Sequence, residues 1–184
     1  MNQSKLWIAL MGGTAMLAFG QLASATTVQT HAEYTAAIDR ASTEYKNARA
    51  KCEPLAGHDK DMCVVKAQAG EKRAKALAEA NYKGTTASLT DNRIANADAD
   101  LMIAKVACEP KAAQEKEVCV KEAQATQVKL VADAKAHKTA VDAQTDARAD
   151  TRDAQYKVAL AKCDAMSGAE KDSCVTSANS GFGK

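Results

Sequence analysis

All six cysteines of this 184-residue chain fall into pairs of one spacing: Cys52 and Cys63, Cys108 and Cys119, Cys163 and Cys174. Ten residues lie inside each pair, and the first members stand 56 and 55 residues apart. A constant inner spacing with a near-constant period marks a repeat architecture. The agreement extends around the cysteines. Each first Cys is followed by an acid (Glu53, Glu109, Asp164) and has Ala four residues before it (Ala48, Ala104, Ala159). Each second Cys is preceded by acid-Lys-acid-x, as in Asp59-Lys60-Asp61, Glu115-Lys116-Glu117 and Glu170-Lys171-Asp172. It is followed by Val64, Val120 or Val175, then by Ala and an amide at the fourth and fifth places.

The spacing restricts geometry. On one unbroken helix, residues eleven apart lie on one face but about 16 Å apart along the axis. A disulfide needs its Cα atoms within about 7 Å. The chain must therefore turn back inside each pair if its cysteines are bonded to each other. Pro54 and Gly57, Pro110, and Ser167-Gly168 allow this. The acids before each second Cys suit the first turn of a new helix, facing the positive end of its dipole. Ser167 and Glu170 match a capping box. Each unit reads as helix, short turn, helix, stapled by one disulfide: an all-α fold of three antiparallel helical hairpins.

The composition supports helices that pack closely around a thin core. From residue 26 onward the chain has 36 Ala but only 21 Val, Ile, Leu and Phe together. Alanine is the strongest helix former, and short side chains let helices approach closely. Heptads run Ile38, Tyr45, Cys52, then Ile94, Leu101, Cys108, then Ala149, Tyr156, Cys163. After the second cysteines the stripe continues as Ala67, Gly70, Ala74, Leu77 and as Ala123, Thr126, Leu130. Such a coiled-coil-like stripe packs its own hairpin. Helices are predicted over 31–55, 60–83, 91–108, 113–164 and 169–179, with Thr90 or Asp91 capping the third. Gly84-Thr85-Thr86 breaks the second helix from the third, and the tail from Ser177 is expected to fray. The stretch 113–164 has neither Gly nor Pro and reads as a mostly continuous helix, the alternative being a bend near Lys138–Asp146, where the first inter-repeat linker contains its Gly. The repeats span about 31–83, 91–137 and 146–184.

The N-terminus reads as a signal peptide over residues 1–25. Lys5 precedes an apolar run from Leu6 to Gly20, and Ala23-Ser24-Ala25 supplies the small-x-small pattern for cleavage after Ala25. The run is too short, and too interrupted by Gly12-Gly13-Thr14, to span a membrane. The expected product is a single soluble helical repeat domain, 26–184, in the periplasm. Taking Lys5 from the 25 basic residues leaves 24 against 23 acids. That balance speaks against a nucleic-acid partner. The helices also lack the large apolar face that a membrane-surface role requires, so no stable membrane insertion is expected.

In an oxidising compartment, Cys52, Cys63, Cys108, Cys119, Cys163 and Cys174 read most simply as three structural disulfides made by the periplasmic disulfide-forming machinery. A redox role fits poorly, because oxidoreductase motifs hold two residues between cysteines, which lets a helix N-terminus lower one thiol's pKa. A metal site built on Cys52, His58 and Cys63 fits poorly too, since Gln114 and Ala169 replace His58 in the other repeats. Met62 and Met166 do not stand at equivalent places either. His31, His58 and His137 have no nucleophile at a telling distance, and the carboxylates are interleaved with Lys and Arg as on a solvated helix face. No catalytic, cofactor or metal site emerges, and the protein is expected not to be an enzyme.

The runs E-Y-K-N-A-R-A-K-C-E-P (44–54) and Q-Y-K-V-A-L-A-K-C-D-A (155–165), with K-D-x-C-V, resemble a group of exported Ala/Lys-rich Cys-repeat proteins of Gram-negative bacteria. These are loosely described as cell-envelope proteins, and the likeness covers almost the whole chain after the signal segment. It implies a periplasmic location and brings no activity with it. The expected function is binding or spacing by a non-catalytic helical protein in envelope homeostasis or stress, toward a protein partner or another envelope component. The alternatives are an ATP-independent chaperone and a thiol-redox or metal-handling protein. An alanine face could also pair with a second copy to give a dimer.

Overall fold

The computed structural model describes residues 29–184; the expected signal segment and cleavage point lie outside them. Five helices account for almost all of this region: α1 His31–Ala50, α2 Gly57–Lys83, α3 Thr86–Cys108, α4 Ala113–Asp164 and α5 Gly168–Phe182. No strand occurs among the described residues. The fold is all-α, in three antiparallel hairpins. The first is α1 with α2, the second α3 with the first half of α4, and the third the end of α4 with α5.

Each helix packs only on its neighbours in sequence: α1 on α2, α2 on α3, α3 on α4, and α4 on α5. The result is a meander in which no helix is surrounded. Its core is correspondingly thin. Beyond Val65 and the first cysteine of each pair, the buried apolar residues are all alanine: Ala41, Ala69, Ala78, Ala80, Ala97, Ala99, Ala134 and Ala178. Alanine removes little area from water, so each interface contributes modestly to stability. Helix α2 shows how an alanine-rich helix serves two partners. One face meets α1, while Lys72 and Arg73 on another reach Asp98 and Asp100 of α3.

Element boundaries differ from the sequence reading where local chemistry is stronger than the pattern. The first helix ends at Ala50 rather than near 55, and a turn over Lys51–Pro54 leads to the second helix, which starts at Gly57. The third helix starts at Thr86 rather than near 91. Its cap is Thr85, not Thr90 or Asp91: the Ser88 amide donates to Thr85 Oγ1 at 3.0 Å, and the Thr85 amide donates to Ser88 Oγ at 3.2 Å. Gly84, at φ +60°, closes α2 in the left-handed region, so only two residues separate α2 from α3. The expected capping box at Ser167 is absent, because its side chain caps nothing. The tail does not fray from Ser177. It stays helical to Phe182, where Arg152 donates to the Phe182 carbonyl at 2.9 Å and Lys184 pairs with Asp153 at 2.9 Å.

Five stripe positions are also corrected: Gly70, Leu77, Thr126, Leu130 and Ala149 are exposed, because no neighbouring helix covers them well. Helix α4 is continuous over 52 residues, about 78 Å at the usual rise. Only its first half meets α3. The third hairpin therefore sits far out along α4, with its disulfide at the opposite end of the molecule from the other two.

Candidate functional site

The three stapled turns are the most regular chemical feature of the molecule. Cys52 and Cys63, Cys108 and Cys119, and Cys163 and Cys174 are bonded, with Cα–Cα distances of 5.6, 5.8 and 5.6 Å. These lie in the middle of the range a disulfide accepts. In every turn the amide three residues after the first cysteine donates to that cysteine's carbonyl: Leu55 to Cys52 at 3.1 Å, Lys111 to Cys108 at 3.2 Å and Met166 to Cys163 at 3.0 Å. The acid after the first cysteine then pairs with the lysine seven residues on. Lys60 meets Glu53 at 3.8 Å, Lys171 meets Asp164 at 3.0 Å, and Lys116 meets Glu109. The motif residues around the cysteines thus form a charge clasp over each staple. The clasps are exposed, so each contributes well under 1 kcal/mol.

The turns differ in backbone. Gly57 and Gly168 open α2 and α5 with φ +55° and +57°. At the equivalent place the second repeat has Ala113, and its helix starts from the extended Ala112 after Pro110. Two solutions serve one covalent constraint.

The open ends of the outer hairpins are held by aromatic rings. Tyr34 stacks on Tyr82 with centroids 4.8 Å apart, and His31 meets Tyr82 edge-on at 5.9 Å. In the third hairpin Tyr156 lies 5.6 Å from Phe182, donates to Asn179 Oδ1 at 2.7 Å, and has the Lys184 ammonium 5.8 Å from its ring centre. These clasps were not read from the sequence, although Tyr156 stood in the heptad and Asn179 in the repeated amide position.

In the middle of the meander Asp98 ties three helices together. It accepts from Lys72 of α2 and from Gln127 of α4, both at 2.9 Å. The Lys72 hydrogen bond is the main reason its carboxyl is held below the usual aspartate range, with Gln127 helping and partial burial opposing. An open groove of about 460 Å³ lies between α3 and α4. Its charges alternate, with Arg93 and His137 against Asp100 and Asp133.

Cys52 and Cys63 are bonded to each other rather than gathered round His58. Among the described residues no three or more His, Cys, Asp and Glu side chains gather as a metal site, and no cysteine is free. His31 begins α1, His58 lies in the first turn of α2, and His137 lines the α3–α4 groove. No described helix is long and apolar enough to cross a membrane. Fold and turns define a class: a meander of helical hairpins, each closed by a disulfide. No protein-family model, curated protein or solved structure matches this chain.

Proposed function

We propose that this is a non-catalytic periplasmic protein that acts by binding or spacing in the cell envelope, exported by a signal peptide cleaved after Ala25. The observation that carries this reading is α4, which holds two stapled ends apart on a single helix of 52 residues. Three disulfides support an oxidising location. The near-balanced charge supports a protein or envelope component as partner rather than nucleic acid. The test is photocrosslinking in intact cells from probes at the exposed Val128 and Val158. One dominant adduct with an envelope component is expected, and no adduct from either position would overturn binding. Turnover of a substrate by the purified protein would overturn the non-catalytic half of the reading.

A second reading, an ATP-independent periplasmic chaperone, is favoured by one observation. Leu77, Val118, Val128 and Val158 are 50, 51, 63 and 56 % exposed. Singly scattered apolar residues are ordinary on a protein surface, so this reading ranks below the first. It expects suppression of client aggregation in vitro, and failure with several unrelated clients removes it.

A further inference from the structure

We infer that the middle of α4, Ala143–Thr151, is a joint that opens locally and lets the third hairpin reorient relative to the first two. The first observation is exposure. Every residue from Ala143 to Gln155 is exposed, thirteen in succession; α3 packs on α4 before this stretch, and the end of α5 reaches back to it only through Arg152 and Asp153, with Gly181 and Phe182 across an open groove from Ala147 and Thr151. Packing supplies most of the stability of a helix in a protein, and here no residue is buried.

The second observation is charge. Elsewhere α4 is laced by favourable pairs: Lys121 with Glu117, Lys129 with Asp133, and Lys138 with Asp142. From Asp142 to Arg152 every charged pair four residues apart is of like sign: Asp142–Asp146, Asp146–Asp150 and Arg148–Arg152. Like charges at this spacing destabilise a helix.

The third is helix propensity. Thr and Asp, which recur over 142–151, are weaker helix formers than the Ala, Lys and Gln that dominate the first half of α4.

The repeat explains why the joint lies here. In repeat one Gly84 ends α2 and turns the chain back, so that α3 packs on α2. Fifty-six residues on stands Ala140, and the helix runs through. What would have been a turn between packed helices is a bare connection between two stapled bodies. Helices with few tertiary contacts belong to the low-stability end of native openings. This inference concerns the isolated molecule: it is independent of the binding half of the proposed function, and it makes α4 a hinged rather than a rigid spacer.

Hydrogen exchange on the purified protein, disulfides intact, tests it. Amides of 143–151 are expected to exchange about tenfold or more faster than those of 123–138. Asp146→Lys converts two like pairs into unlike ones and is expected to slow exchange of this stretch about threefold. An unchanged rate in that variant overturns the charge origin of the weakness. Spin labels on non-natural residues at positions 128 and 158 provide a second readout. A straight helix places them about 45 Å apart, whereas a joint gives a broad distribution reaching to shorter distances. Uniform protection across α4, or one narrow distance, overturns the inference.

Discussion

Among the described residues, Cys52, Cys108 and Cys163 are the largest side chains buried completely, each about 1 % exposed. That is unusual for a chain of this size, where leucine or phenylalanine normally fills the centre. The disulfides therefore stand in for a core. Closing a loop this short contributes on the order of 2–3 kcal/mol. Replacing Cys52 and Cys63 together by serine is expected to remove about that much from the first hairpin, measured as a lowered urea midpoint at constant slope. Replacing Lys60 by alanine, which opens only the exposed clasp, should cost under about 0.5 kcal/mol. Asp98 carries a pH dependence. Its folded pKa lies below its unfolded value because Lys72 donates to it. Its contribution is thus fully present above the unfolded value and is lost as pH falls below about 4. Asp98→Asn should flatten the acid limb of a stability-versus-pH curve while lowering stability at pH 7.

At the scale of the helix, ends are decided by caps that the repeat pattern does not encode. Thr85 caps α3 through a reciprocal pair of bonds with Ser88, and Thr30 does the same for α1 with Glu33. Ser167 caps nothing. Thr85→Ala should therefore cost about 1 kcal/mol, and Ser167→Ala should leave the thermal midpoint unchanged. A loss at Ser167 equal to that at Thr85 would show that α5 is capped in solution in the way its S-x-x-E sequence suggests. Cysteine pairing and helix content were legible because both depend on short-range spacing. The start of α3 was misplaced by five residues because Gly84 ends α2 so tightly that no linker remains. The stability of the tail was missed because it depends on Arg152 and Asp153, some thirty residues earlier in sequence.

For the whole molecule, connectivity by sequence neighbours alone predicts divisibility. Since α5 touches only α4 among the described helices, ending the chain after Thr151 should leave the unfolding of the first two hairpins unchanged within error. A large fall in its midpoint would mean that the third hairpin contacts the others in solution. Reduction of all three disulfides is expected to melt far-ultraviolet helicity at a much lower temperature, because little buried apolar area is left to hold the helices together.

Residues close in the chain are enough to specify the three stapled hairpins and the helical content, through matched cysteines and abundant alanine. They leave 113–164 open between one helix, favoured by the absence of Gly and Pro, and a bend near 138–146, and the fold makes it one helix. Tertiary structure alone decided which faces are covered, so that Ala69, Ala80 and Ala99 are buried between α2 and α3 while Leu77 and Ala149 are left open. In a chain so rich in alanine every helix face looks packable, and the pattern cannot tell them apart. What separates them is where the chain turns back, at Gly84 but not at Ala140, and that geometry decides which alanines find a partner.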